Sequence, residues 1–159
     1  MKGILFKPEM IQAIVEGKKT QTRRVGKSRY RIGEIIYIKE AIHRFNFEYA
    51  SYDLDFTPVM FLRTANRFHW RWTKDKLPAM FQPYEAARYF IKITDVRAER
   101  LQEITEQDAE EEGVTRPPNY SLVPHYREWF KYLWNKINKP PYDWQSNPWI
   151  WRYVLALEP

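Results

Sequence analysis

The chain has 159 residues, enough to bury a real core in one domain, and no cysteine, which excludes disulfides, thiol catalysis and cysteine-ligated zinc. Its 26 Lys and Arg against 20 Asp and Glu leave a net charge of +6, which favours a polyanionic partner. No run approaches the roughly twenty apolar residues that span a bilayer, and no apolar signal core opens the chain, so it reads as a cytosolic protein.

Taken in order, residues 3–6 form a short apolar run that predicts a first strand. Pro8 then suits the first turn of a helix, and Met10, Ile11, Ile14 and Val15 recur on one helical face. Gly17 stands where a helix C-terminal cap belongs, and Lys18 and Lys19 lie where the negative end of the helix dipole welcomes cations. From Lys18 to Arg31 the sequence carries Lys18, Lys19, Arg23, Arg24, Lys27, Arg29 and Arg31 with no acid among them. A solvated basic turn is the ordinary reading of such a run; an anion site, or a lysine that loses its proton easily, is the functional one. Thr22 and Arg24 share one face of the strand that follows. Lys19 and Thr22 face opposite sides of a regular strand, so they converge only where the chain turns between them.

A turn at Gly33 leads into an internal strand through Ile35, Ile36, Tyr37 and Ile38. Residues 41–76 read as an irregular, aromatic-rich insertion with the makings of a β-hairpin: Phe45, Phe47, Tyr49 and Tyr52 suggest short extended pieces, 59–62 another, and Phe68, Trp70 and Trp72 alternate with His69 and Arg71. These tryptophans are core residues before they are stacking platforms. A proline-bracketed connector, 77–83, precedes one helical turn at 85–88. Tyr89, Ile91 and Ile93 alternate, and Val96 and Ala98 continue with the opposite parity, which predicts a bulge or bend in one long strand. Thr105 is the expected N-cap of a short acidic helix ended by Gly113. An apolar stripe of Tyr126, Trp129, Phe130, Leu133, Trp134 and Ile137 predicts a helix over 124–138. Trp149, Trp151, Tyr153, Leu155 and Leu157 alternate as a last strand. Without a repeat or a linker, the chain is expected to be a single domain over 1–159.

Three pieces in this order resemble one family. They are Gly17-Lys18-Lys19-Thr20-Gln21-Thr22-Arg23-Arg24; Tyr30-Arg31-Ile32-Gly33-Glu34 leading into a strand; and the acidic run from Ile104 to Val114. Together they resemble the ASCH domain family, and the Leu77-Pro78-Ala79-Met80-Phe81 connector and Asn147-Pro148-Trp149-Ile150-Trp151 resemble its longer, phage-associated branch. The resemblance covers the chain outside about 41–76. It implies an α+β fold, a PUA-like mixed β-barrel flanked by helices, with a cleft that binds RNA or a modified nucleoside. A small bacterial member similar in the first and third motifs is an amidohydrolase that removes the acetyl group of N4-acetylcytidine with a Lys, a Thr and a Glu. These fall on Lys19, Thr22 and Glu112, and the following Arg on Arg24. Lys18, Arg23, Arg24 and Arg31 are then the expected RNA- or substrate-binding cations. Other members are linked to RNA cleavage, so a ribonuclease and a non-catalytic RNA-binding module stay open beside the hydrolase.

Deacylation of a nucleobase amide needs a nucleophile, a base and a proton donor for the leaving amine. Thr22 either attacks or positions a water. Lys19 acts as base only if its pKa falls from an intrinsic ~10.4; neighbouring cations lower it and a Glu112 partner raises it. Glu112 either carries a proton to the amine or binds the cytosine edge, and Arg24 suits an oxyanion or phosphate. A structural Lys19–Glu112 salt bridge is the competing reading. Glu110, Glu111 and Glu112 crowd the negative end of a short helix, which calls for a cationic neighbour. The three histidines, His43, His69 and His125, share no metal-ligand spacing, so no metal and no cofactor is expected.

Overall fold

The computed structural model describes residues 1–45, 50–59 and 72–159. The expectations placed on Phe47, Tyr49, Phe68, His69, Trp70, Arg71 and residues 60–62 lie outside them.

The described elements run in chain order β1 (Gly3–Leu5), α1 (Pro8–Val15), β2 (Gln21–Arg24), β3 (Ile35–Lys39), β4 (Ile42–Arg44), β5 (Ala50–Tyr52), β6 (Lys76–Leu77), β7 (Phe90–Arg100), α2 (Glu106–Glu111), α3 (Tyr126–Ile137) and β8 (Trp149–Leu157). The strands make a five-stranded sheet, in the order β1-β3-β7-β8-β2, and a three-stranded sheet, β5-β4-β6. β1 and β3 are parallel and β2 and β8 antiparallel, so the larger sheet is mixed. The α+β class, the first and last strands and the internal position of β3 all agree with the sequence pattern. The helical turn expected at 85–88 is a 3-10 turn over Tyr84–Ala86, with Ala87 already extended, and a second departure is in β7. It is a single strand, but Ala98 is exposed and Val96 half-buried, whereas Glu99 turns inward. The apolar pattern flips there because an ion pair, not a hydrophobic contact, fills the buried position.

Packing divides the chain into two compact units: Met1–Ile11, Ile35–Ile91 and Glu158–Pro159; and Gln12–Glu34 with Lys92–Leu157. In the first, β4 pairs with both β5 and β6 over a core of Ile42, Ala50, Tyr52, Val59, Leu77 and Ala86. The described part of the aromatic insertion therefore supplies β4, β5 and the start of β6. Arg88 fixes one end, donating to both oxygens of buried Glu40 at 2.9 and 2.7 Å and lying 4.1 Å over the Tyr52 ring. Its charge is fully matched, as a buried charge requires.

In the second unit, α3 lays Trp129, Phe130 and Trp134 onto Leu101, Ile104, Ala109, Trp144 and Ile150. Leu101 and Ile104 flank a short 3-10 turn (Leu101–Glu103) that delivers the chain to α2. Thr105 caps α2 as expected: its hydroxyl accepts from Asp108 N at 3.0 Å while the Asp108 carboxylate reaches back to Thr105 N. Gly113 follows with φ of +77°, the left-handed conformation that a helix exit needs. β2 pairs along β8 in the register Gln21↔Val154, Thr22↔Tyr153, Arg23↔Arg152, Arg24↔Trp151. β2 is thus the edge strand of the larger sheet, and among the described strands its one partner there is β8.

Candidate functional site

Lys19 is not in a strand. After Gly17 (φ +76°) the chain doubles back, with Lys18 N and Lys19 N both donating to Ala13 O at 2.8 and 3.0 Å. Thr20 N then donates to Glu111 O at 2.7 Å, which pins the start of β2 against the end of α2. The turn required by the sequence argument is present, and it drives Lys19 inward until only 4% of it is exposed.

Its Nζ donates to three oxygens, each at 2.8 Å: Gln21 O, Glu112 O and Glu112 Oε2. Lys19 and Glu112 thus meet across 93 residues of sequence. The other Glu112 oxygen, Oε1, accepts from Arg23 Nη1 at 2.9 Å. Arg23 is the hub. Its side chain has no exposed area, and it also donates to Glu99 Oε1 from Nε and Nη2 at 3.2 and 3.0 Å, with Asp108 Oδ2 at 3.4 Å. Gln21 joins the parts: its amide oxygen accepts from Arg23 Nη1 and Arg152 Nε at 3.1 and 3.0 Å, and its amide nitrogen donates to Asp108 Oδ1 at 3.1 Å and to Glu111. Lys19, Arg23 and Arg152 each have a carboxylate partner among Glu99, Asp108 and Glu112, which is how a buried network avoids a large desolvation penalty.

Burial pushes the Lys19 amine below the usual lysine range; Glu112 pulls it back, and Arg24 and Arg23 push it further down. Asp108 is drawn down: burial works against this, but hydrogen bonds from Gln21 and Thr105 and the charges of Arg23 and Arg152 outweigh it. Arg24, two residues along from Thr22, is held below its ordinary value chiefly by burial, while the Glu112 charge raises it. The carboxylate of Glu112 and the guanidinium of Arg24 therefore feel each other's charge.

The other sequence-predicted residues fall out as follows. Thr22 is buried, 4% exposed, and pairs with Tyr153. The Gln21 and Arg23 side chains touch each other, so strand alternation puts Thr22 on the opposite face, with Arg24. Lys18 is exposed and paired with Glu16 at 2.6 Å, and Arg31 is exposed, its backbone N bound to Glu34 Oε2 at 2.9 Å. The acid-free basic run is divided by the fold: Lys19 and Arg23 turn inward to carboxylates from β7 and α2, while Lys18, Lys27, Arg29 and Arg31 stay outside. Sequence reasoning passed over Glu99, Asp108, Gln21 and Arg152. One signal was available: Arg152 breaks an otherwise aromatic and aliphatic strand.

Among the described residues no group of His, Asp and Glu has the arrangement of a metal site, and no helix is long and apolar enough to cross a membrane.

No protein-family model matches the chain, and no curated protein sequence matches it. Solved structures do. Protein EF3133 of Enterococcus faecalis, of the family model DUF984, superposes with a TM-score of 0.51 at 11% identity, over 99% of this chain and 80% of that one. An ASCH domain of Lactobacillus crispatus gives a TM-score of 0.46 at 12% identity, over 98% of this chain and 78% of that one. A point mutant of the Zymomonas mobilis protein ZmASCH gives 0.43 at 12%, over 97% and 67%. The likeness to EF3133 is one of fold, and it spans both units.

Proposed function

We infer that this chain is an ASCH-type domain that binds RNA or a modified nucleoside, and that Lys19 and Glu112 form the centre of an amide hydrolase for N4-acylated cytidine-like nucleosides. The observation that carries the reading is the buried Lys19 amine, lowered in proton affinity and bonded to Glu112 at 2.8 Å. In the reactive form the Lys19 proton has passed to Glu112 along their 2.8 Å hydrogen bond, leaving the amine as base and the carboxyl as acid. The amine then takes a proton from an attacking water as its oxygen adds to the acyl carbon. Collapse of the intermediate breaks the C–N4 bond, and the Glu112 carboxyl protonates the departing N4 amine. Lys19 returns its extra proton to Glu112, which closes the cycle. Arg24 supplies the positive charge for the oxyanion. Water is the nucleophile, and the Thr22 hydroxyl positions it. Thr22 then belongs with Arg24 on the substrate side.

Incubation of the protein with N4-acetylcytidine, followed by chromatography, tests the assignment. Wild type should release cytidine, and Lys19→Met and Glu112→Gln should each reduce turnover by about 100-fold or more. A wild type that leaves the nucleoside intact ends the hydrolase reading.

One observation favours a second reading, a non-catalytic binding module with a structural ion cluster. Lys19, Thr22 and Glu112 are 4%, 4% and 5% exposed, and all three protons of the Lys19 ammonium are already donated. In that case no variant turns over substrate, and Glu112→Gln changes stability alone.

A further inference from the structure

β8 has a second face that the ion cluster does not use. Arg152 points into the cluster, so Trp149, Trp151 and Tyr153 share the opposite side of the strand, about 7 Å from one to the next. Two of these three aromatics tie down the loop that follows β2. Trp151 Nε1 donates to Gly26 O at 3.0 Å, and Tyr153 OH accepts from Arg29 N at 3.1 Å and lies 3.3 Å from Ser28 Oγ. The tethered loop carries Lys27 and Arg29, both exposed. The third aromatic, Trp149, is turned to solvent with 59% of its surface exposed. Arg100 at the end of β7 lies 4.5 Å over its ring and is itself fixed by donating from Nη1 to Asn147 O at 3.3 Å. Val25 packs against the cluster that holds Ile150, so the chain leaving β2 passes the start of β8 with its cations on the way.

We propose that Trp149, backed by Arg100 and flanked by the tethered loop bearing Lys27 and Arg29, is a stacking platform for single-stranded nucleic acid. An indole held in place by a guanidinium loses little freedom when a base stacks on it, and every base offers a π face. Lys27, next to the Gly26 that Trp151 holds, supplies a phosphate contact toward the Trp149 end, and Arg29, held at Tyr153, continues the basic path along β8. A duplex keeps its bases stacked on each other and gains nothing from the ring. The platform lies outside the Lys19–Glu112 centre and rests only on the nucleic-acid-binding part of the function proposed above.

The test is a fluorescence-anisotropy titration with a short labelled oligouridylate and, separately, a labelled RNA duplex. Wild type should bind the single strand more tightly than the duplex. Trp149→Ala should weaken single-strand binding about tenfold, and Trp149→Phe should keep most of it. Lys27→Ala should reduce the slope of log affinity against log salt by about 0.7. Equal thermal midpoints for the Trp149 variants and wild type exclude a folding effect. If Trp149→Ala binds like wild type, or the duplex binds as well as the single strand, the platform is wrong while the wider RNA-binding reading stands. If wild type binds neither, both fall. Turnover of N4-acetylcytidine, a free nucleoside, should be the same in Trp149→Ala and wild type.

Discussion

At the scale of single residues, Glu112 carries the heaviest burden, because its two oxygens each hold a different buried cation. Glu112→Ala strands both, and loss of one partner of a buried pair costs about 3–5 kcal/mol. Urea unfolding should show that loss, and Glu112→Gln a large part of it, because the amide oxygen accepts from one cation while the amide NH2 faces the other. Lys19 makes a separate claim about pH. Its folded-state pKa lies below its unfolded value, so the unfolded chain binds more protons in the window between the two. Its contribution to stability therefore rises with pH through that window and levels off above about 10.4. The unfolding free energy of wild type relative to Lys19→Met should move in favour of wild type as pH climbs from neutrality; a constant difference would show that Lys19 titrates alike in both states. Asp108 works in the same direction, in a more acid window. Its lowered pKa gives stability that is present above the ordinary aspartate value of 3.8 and lost as pH falls through the folded value. Asp108→Asn should flatten the acid limb of the stability curve, which circular dichroism at stepped pH would reveal.

At the scale of elements, α2 is only six residues long and depends on its ends. Thr105→Ala removes the hydroxyl that accepts from Asp108 N and should cost about 1 kcal/mol. Gly113→Ala should cost more. A Cβ there would lie 2.9 Å from Lys19 Cβ and 3.2 Å from Ala13 Cβ, at a φ of +77° that L residues avoid. Denaturant midpoints for the two variants would rank them, and a Gly113→Ala protein as stable as wild type would contradict the close packing of Lys19 against this turn. Both ends of α2 were legible in the sequence, since a capping threonine and a terminal glycine act through local backbone geometry. The inward turn of Glu99 was not. β7 reads locally as a strand with a parity error, and only the arrival of Arg23 from 76 residues away makes the buried acid sensible.

At the scale of the whole molecule, the element order and the α+β class were readable because amphipathic periods survive without knowledge of partners. The meeting of Lys19 with Glu112 came from motif resemblance, and the structure adds what spacing could not: Arg23, expected as an RNA- or substrate-binding cation, is the most deeply buried charge in the cluster. Charge sign is visible in a sequence, but its direction depends on which strand lies alongside. Here that strand is the last one. Arg152 meets Gln21 across 131 residues, and every residue of β2 is paired to β8. Such a topology has a consequence during synthesis. The ribosome releases β2 early, with its arginines hydrated and its edge unpaired, and no partner exists until β8 has emerged from the exit tunnel. Long-range closure of this kind is slow, since the loop entropy is spent before the contacts return it. The second unit then closes only once β8 has emerged, rather than progressively as its earlier elements appear. A nascent chain stalled within α3 should leave β2 open to protease, and the same sites should become protected only once residues 149–157 are clear of the tunnel.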